Sequence, residues 1–362
     1  MKIGFDASDL CTGRADGTTR YTGELLKRLP SLLPADEFHV FAPCSPAQKI
    51  PVTWHASPFP KYWTQARLPL DLLRYRPDVL FMPIQQLPII RPPRMKTVAV
   101  IHDLAFHQYG TMTGYKDWLL LHTFTAQVAR EADHIIAISK ATAADIARYY
   151  GRTENVHVVY HGVDHDRFRV ASPEEKAAGL QKLVASYPKL AQPYILYVGQ
   201  IQPRKNIPRL VEAFEQLKDK NLNLVIAGGH GWLQQNTHDR IQRSAEKDRI
   251  HVLGAVPDNL LPALYQNAAV FTLVSLYEGF GMPLLEAMAC GVPTVTSNVS
   301  SMPEVVADAG IRVNPMDSAS IANGVQQALL RKAELSQAGL ARAGKFTWAA
   351  AGEQIARLLH QN

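Results

Sequence analysis

The stretch that decides the fold is Val270-Phe271-Thr272-Leu273-Val274-Ser275-Leu276-Tyr277-Glu278-Gly279-Phe280-Gly281-Met282-Pro283-Leu284-Leu285-Glu286-Ala287-Met288-Ala289-Cys290-Gly291-Val292-Pro293. Val270–Leu273 has the length and composition of a strand. Gly279 and Gly281 permit a tight loop whose backbone approaches a ligand closely. Pro283 suits the first turn of a helix, where its missing N–H costs nothing. The unpaired N–H groups of that turn, reinforced by the helix dipole, make an anion site that fits a phosphate or diphosphate. Glu278 precedes the loop and Glu286 lies about one turn inside the helix, so both carboxylates can face one pocket. Paired carboxylate acceptors suit the vicinal hydroxyls of a ribose or sugar ring. The alternative makes Glu278 a surface charge and Glu286 a partner of the helix dipole; the glycine loop between them favours the functional reading.

The same strand–loop–helix grammar runs outward from this stretch in both directions. Strand-length runs occur at 38–41, 79–81, 97–101, 134–138 and 156–159, with helical patterns at 18–29, 115–130 and 140–150 between several of them. Met1–Asp6 reads as a first buried strand. A polar, helix-like stretch at 172–192 precedes a second series at 194–198, 222–227, 250–253, 270–273 and 293–296. The helix at 207–217 carries Ile207, Leu210, Val211, Phe214 and Leu217 on one face. The expectation is an α/β protein of two doubly wound domains, residues 1–170 and 171–362. The amphipathic 346–362 segment either ends the second domain or crosses back to the first. Open α/β sheets bind ligands beyond the carboxyl ends of their strands. Two such domains facing each other would hold a ligand in the cleft between them.

Composition agrees. The chain has 362 residues, enough for two domains at about 150 residues each. Apolar residues make up 47% and charged residues 19%, which excludes a disordered chain or a coiled coil. The net charge of +6 fits an anionic ligand or surface and does not by itself argue for nucleic acid. Cys11, Cys44 and Cys290 form no CxxC pair, so neither a disulfide framework nor a zinc knuckle is expected, and a reducing compartment is. No apolar stretch approaches the roughly 18 residues of a membrane span.

Glu278 to Pro293 resembles the signature of retaining glycosyltransferases of family 4, two glutamates separated by seven residues. The resemblance implies the GT-B fold, two Rossmann-like domains facing across a cleft. It gives Glu286 the ribose of a sugar nucleotide, Glu278 the transferred sugar, and the backbone of Gly279, Phe280, Gly281 and Met282 the diphosphate. Val198-Gly199-Gln200-Ile201-Gln202-Pro203-Arg204-Lys205-Asn206 is similar to the family's diphosphate turn. Two cations at a strand exit suit a diphosphate whose charge develops as it leaves. Lys205 matches the family lysine. Gln200 stands where many members have a basic residue, and Arg204 would supply that charge. The bland reading is a solvated basic turn capped by Asn206.

First-domain matches carry less detail. His102 in Ile101-His102-Asp103-Leu104 stands where a family histidine lies beside the reacting sugar carbon, which implies that it contacts the sugar or donates to the phosphate, with Asp103 as its orienting partner; the alternative is a strand-end histidine paired with its neighbour. Gly17 in Gly17-Thr18-Thr19-Arg20-Tyr21 would offer its N–H to the phosphate, although the second glycine of many relatives is absent. The alternative there is an ordinary helix start capped by Thr18 or Asp16. Val159-Tyr160-His161-Gly162-Val163-Asp164 resembles the family turn near the domain join, with His161 in the usual asparagine position. In the second domain, Leu253-Gly254-Ala255-Val256-Pro257-Asp258 resembles the family's strand–loop region that meets the nucleotide base, which implies that role for Gly254. Asp164-His165-Asp166 is formally a DxD metal motif, and its place in the family turn discounts it.

The resemblance implies front-face transfer with no cofactor, metal or covalent intermediate, because Arg204, Lys205 and backbone N–H groups stabilise the leaving diphosphate. The pattern is closest to bacterial mannosyltransferases of surface polysaccharide assembly, which points to GDP-mannose as donor, with UDP-glucose or a similar UDP sugar next. The acceptor would be a saccharide or lipid-linked oligosaccharide. The same fold serves sugar-nucleotide epimerases, phosphorylases and inactive glycosylation partners, which form the alternative class. Residues 61–100 hold seven basic and two acidic residues, with Trp54, Phe59, Tyr62 and Trp63 nearby. They read equally as a peripheral membrane contact or as a proline-rich connection with solvated charges. The expected setting is the cytoplasm, with peripheral contact at the inner face of the membrane. No nucleic-acid module is visible.

Overall fold

The computed structural model describes all residues except 14–15, 47–49, 60, 111–113, 230–234 and 362, together with the Tyr115 side chain. The loop between Gly13 and Asp16 therefore lies partly outside the described residues. Up to residue 162 the elements are β1 (Lys2–Asp6), α1 (Gly17–Leu32), β2 (Glu37–Ala42), β3 (Thr53–Ala56), α2 (Leu68–Tyr75), β4 (Val79–Met82), β5 (Lys96–Ile101), α3 (Phe106–Tyr109), α4 (Tyr115–Glu131), β6 (His134–Ala137), α5 (Lys140–Tyr150) and β7 (Val156–Val158). There follow α6 (Pro173–Ser186), β8 (Tyr194–Val198), α7 (Ile207–Glu215), β9 (Asn223–Ala227), α8 (Gln235–Gln242), β10 (Ile250–Gly254), α9 (Leu261–Gln266), β11 (Val270–Leu273), α10 (Met282–Ala289) and β12 (Thr294–Ser297). The chain continues through α11 (Met302–Val306), β13 (Ile311–Val313), α12 (Ser318–Leu330), α13 (Lys332–Ala343) and α14 (Trp348–Leu359).

Two compact units result, Met1–Gly162 with Trp348–Asn362, and Val163–Thr347. Among the described residues the first holds a seven-stranded sheet ordered β3-β2-β1-β4-β5-β6-β7, and the second a six-stranded sheet ordered β10-β9-β8-β11-β12-β13. All pairings are parallel. β4 and β11 are buried along their whole length, as strands covered by helices on both faces must be. In each sheet the strand order reverses once, between β1 and β4 and between β8 and β11. Ligands of such sheets bind outside the carboxyl ends of the strands at that reversal.

Two expectations change, and the choice left open for the last helix is decided. The units divide at Gly162 and Val163 rather than at 170 and 171. The last helix belongs with the first unit, because α14 buries Trp348, Ile355 and Leu359 and packs on α1. A Cβ on Gly352 would come within 2.9 Å of Leu32 Cδ1, so a glycine lets the two helices approach. Cys11 and Cys44, expected to be unpaired, form a disulfide. They follow β1 and β2, and the parallel pairing of these two strands brings their following loops together, which sequence spacing does not show. Cys290 is free and buried. Cys11→Ser is expected to lower stability by about 3–4 kcal/mol, the chain-entropy value for a bond spanning 33 residues. Denaturant melts check this, since dithiothreitol should abolish the difference between variant and wild type.

Candidate functional site

In the second unit, Gly199 and Gly228 directly follow the strands β8 and β9. Gly199 ends β8 and donates its N–H to Ala227 O at 2.9 Å, and Gly228 beyond β9 donates to Gly254 O at 2.7 Å. A Cβ on Gly228 would lie 1.9 Å from Gly199 O, so only glycine fits there. Gly228 was not singled out in the sequence; the Gly228-Gly229 pair after a strand was the available signal. Gly281 sits in the left-handed region at φ 99° as the residue before α10, which requires glycine. Gly279 has no positive φ. The Phe280 ring is buried and meets Phe346 edge-on with centroids 6.0 Å apart, so Phe280 offers the site its backbone rather than its ring.

Arg204 and Lys205 form a short 3₁₀ turn after β8, on one side of the reversal, and Glu278 follows β11 on the other. The structure brings the three together. Lys205 Nζ donates to Glu278 Oε1 at 2.5 Å and Oε2 at 2.7 Å, and Arg204 NH1 donates to Oε2 at 3.1 Å. Ser275 Oγ donates to Oε1 at 2.7 Å. A carboxylate offers about four lone-pair sites, and these four bonds occupy them. Burial alone would raise the Glu278 pKa; the charges of Lys205 and Arg204 and the bonds from Lys205 and Ser275 outweigh it and hold the group at about 2. Glu278 is therefore an ionised, buried counter-charge and not a solvated loop residue. Arg204 NH1 also donates to Tyr277 O at 2.9 Å. Asn206 does not cap α7 with its side chain. Its amide donates to Val274 O and Pro315 O at 3.0 and 2.7 Å, fastening the turn to the loop after β11. The left-handed φ of 61° at this position is one asparagine tolerates.

Glu286 lies on α10 and is buried. Tyr265 Oη donates to its Oε2 at 2.7 Å. Tyr265, on α9, is a site neighbour that the sequence reading missed. Ser300 and Ser301 are two more: both hydroxyls donate to Glu278 O, at 2.6 and 2.9 Å, and Ser301 Oγ also donates to Phe280 O at 3.0 Å. They fix the loop between the two glutamates.

In the first unit His102 follows β5. Its Nε2 lies 2.7 Å from Pro83 O, and a carbonyl only accepts, so Nε2 carries the proton and Nδ1 is the acceptor. Asp103 does not orient it; Asp103 Oδ1 accepts from Ala105 N at 3.1 Å. Burial lowers the His102 pKa, against the opposing bond to Pro83. His102 is thus a neutral acceptor, suited to a sugar hydroxyl rather than to donating to a phosphate. Tyr21 packs edge-on to His102 at 5.1 Å and lies 4.9 Å from the buried His161 ring. Gly17 opens α1, and the Asp16 carboxylate caps that helix by accepting from Thr19 N at 3.0 Å. Asp164 Oδ1 accepts from Asp166 N and Arg167 N, both at 3.2 Å, so the DxD is a turn. Among the described residues no group of three or more His, Cys, Asp or Glu is placed to hold a metal ion.

Seven of the described histidines, His55, His102, His107, His134, His157, His161 and His251, have pKa values lowered chiefly by burial. His107 reaches about 4. The unfolded chain binds these protons near the ordinary value of 6.5, and the folded chain only at lower pH. Stability therefore rises with pH through this window. It is fully present above about 6.5 and falls as the pH drops toward 4. Thermal melts from pH 7.5 downward should show Tm falling, with part of the loss offset by Asp6, whose carboxyl pKa is raised by burial to about 6.

Two family patterns match the chain: Glycosyltransferase Family 4 over residues 15–167 and Glycosyl transferases group 1 over residues 182–345. The chain is 32% identical over 374 residues to O-antigen chain mannosyltransferase B of Escherichia coli, covering 96% of each. It is 32% identical over 269 residues to the serotype-specific mannosyltransferase WbdA of Escherichia coli, covering 70% of this chain and 32% of that protein. Among solved structures, Anabaena HepE in complex with UDP and glucose matches with a TM-score of 0.77 at 21% identity over 99% of both chains. Sucrose-phosphate synthase of Thermosynechococcus elongatus matches at 0.75 and 20% identity, over 99% of this chain and 98% of that one. At those identities the structures report the shared fold.

Proposed function

The chain belongs to glycosyltransferase family 4 and is a glycosyltransferase of the GT-B type, and we propose that it transfers mannose from GDP-mannose, with retention, to a saccharide or lipid-linked oligosaccharide acceptor. The observation that carries the transfer chemistry is the Arg204–Lys205 pair gathered on buried Glu278 at the β8–β11 reversal. The donor is read from the two mannosyltransferase relatives.

In this reading the departing diphosphate takes the place of the Glu278 carboxylate as partner of the two cations. Lys205 acts as a mobile point charge and Arg204 as a planar fork held by Tyr277 O. As a cation turns to the diphosphate, a Glu278 lone pair becomes free to accept a hydroxyl of the transferred sugar. The amides of Gly279–Met282 and the start of α10 add positive potential, and Gly199 allows close backbone approach. Glu286 accepts the ribose hydroxyls, and Gly254 lies toward the base. The leaving oxygen helps deprotonate the incoming hydroxyl. The chain's own cations supply the charge stabilisation, so transfer proceeds without added metal.

Nucleotide release tests the reading. GDP should appear from GDP-mannose only when an oligosaccharide acceptor is added, and at an unchanged rate in EDTA. UDP release from UDP-glucose instead would replace the donor. Release of neither nucleotide from a folded chain would leave an inactive partner.

A further inference from the structure

Arg204 and Lys205 are both held from one residue, Gln202. Pro203 fixes the start of their turn, and the residue before a proline favours extended backbone; Gln202 has φ −137° and ψ 151°. From that position its carbonyl accepts from Lys205 N at 2.9 Å, and its side-chain oxygen accepts from Arg204 Nε at 3.2 Å. The other end of the same carboxamide donates from Nε2 to Gln200 Oε1 at 2.8 Å. An arginine Nε–H only donates, so the carboxamide atom facing it is the oxygen, and the Gln200 bond takes the amide nitrogen. Gln200 is anchored in turn: the hydroxyl of buried Tyr197 donates to Gln200 O at 3.1 Å.

The Arg204 guanidinium is thus held at two of its nitrogens. Nε meets Gln202, while NH1 donates to Tyr277 O at 2.9 Å and to Glu278 Oε2 at 3.1 Å. Contacts at both nitrogens fix the tilt of a planar group as well as its position, which contacts at NH1 alone do not. The Arg204 backbone is tied too, its carbonyl accepting from Leu276 N at 2.7 Å. A carboxylate at position 202 would compete with an incoming diphosphate for the arginine; a neutral carboxamide orients the cation and leaves its charge available. A donor aimed in advance at developing charge stabilises it without reorganising.

We propose that Gln202 is a positioning residue of the transfer centre, whose carboxamide fixes the plane of the Arg204 guanidinium for the departing diphosphate. Arg204 keeps its orientation through Gln202 when Glu278 gives it up. This role rests on the diphosphate contact proposed above for Arg204. It acts on the charge of the leaving group rather than on donor binding.

A double-variant cycle on the full chain tests it, with Gln202→Leu, Arg204→Gln and the two combined. Nucleotide release from GDP-mannose or UDP-glucose is followed with an oligosaccharide acceptor present. Gln202→Leu should lower kcat by about tenfold, the scale of one hydrogen bond to a charged group, at an unchanged Tm. Donor KM should stay within about twofold. In the Arg204→Gln background the same substitution should cost less than about twofold. An equal loss in both backgrounds overturns the role, because Gln202 would then act without Arg204. Unchanged kcat in Gln202→Leu beside a loss in Arg204→Gln overturns it as well. Unchanged kcat in Arg204→Gln fails the diphosphate contact itself. Isothermal titration with GDP and with UDP reads the same cycle without turnover. Gln202→Leu should weaken the bound diphosphate by about threefold to tenfold, and only while Arg204 is present, so a chain that releases neither nucleotide still decides the role of Gln202. Loss of Tm and donor affinity together, in Gln202→Leu and also in Gln202→Ala, would make Gln202 a structural residue and overturn the role too.

Discussion

Lys205→Ala is expected to cut kcat/KM by about 10²–10³, the scale for removing one charge-stabilising donor from a preorganised site, and to lower stability by about 3 kcal/mol. The second effect follows from the first unusual property of the site: Glu278 is buried and ionised, with all four of its acceptor positions filled by Lys205, Arg204 and Ser275. Removing Lys205 vacates two of those positions and leaves a buried carboxylate with Arg204 as its remaining cation and Ser275 as its remaining hydroxyl donor. Breaking a buried pair from one side costs about 3–5 kcal/mol, and the remaining arginine places the cost at the low end. Adding Glu278→Gln should restore most of the stability and none of the activity. Denaturant melts and nucleotide-release rates on the two single variants and the double read these effects separately. A Lys205→Ala protein with wild-type turnover would remove the diphosphate role.

Glu286→Gln is the second large effect, and it should act on binding alone. The side chain keeps its shape, and its amide oxygen can still accept from Tyr265 Oη, now at 2.7 Å from Glu286 Oε2, so Tm should hardly move. On the proposed function, the variant loses a charged acceptor for ribose hydroxyls, worth about 1.5–3 kcal/mol, or roughly tenfold to hundredfold in donor Kd. Isothermal titration with the nucleotide sugar measures it. Unchanged affinity would transfer the ribose role to another group.

The sequence carried the strand–loop–helix order because parallel strands buried on both faces are short apolar runs, and the helices between them keep a 3.6-residue period. It carried the glutamates and the Arg204–Lys205 turn because the glycine loop and the basic pair are local patterns. It did not carry β3 or β13. β3 reads Thr53-Trp54-His55-Ala56 and is only partly buried, and β13 has three residues, one of them exposed Arg312. Partners far apart in the chain were also invisible. Lys205 meets Glu278 across 73 residues and Tyr265 meets Glu286 across 21, and no periodicity encodes such a meeting. The disulfide belongs with these, since it depends on β1 lying beside β2. His102 was singled out by its match to a family position, but its tautomer depends on Pro83 O, a backbone atom that side-chain identity does not reveal.

The return of α14 to α1 gives the first unit an unusual assembly order. Synthesis delivers Met1–Gly162 early, then the whole of Val163–Thr347, and only then Trp348–Leu359. Until those last residues leave the ribosome, the apolar face that α14 will cover stays open to water and to chaperones. The second unit, by contrast, is continuous in the chain and can close as soon as it is made. The first body to begin is therefore the last to finish, and loss of the final helix would strike the half of the molecule that was translated first.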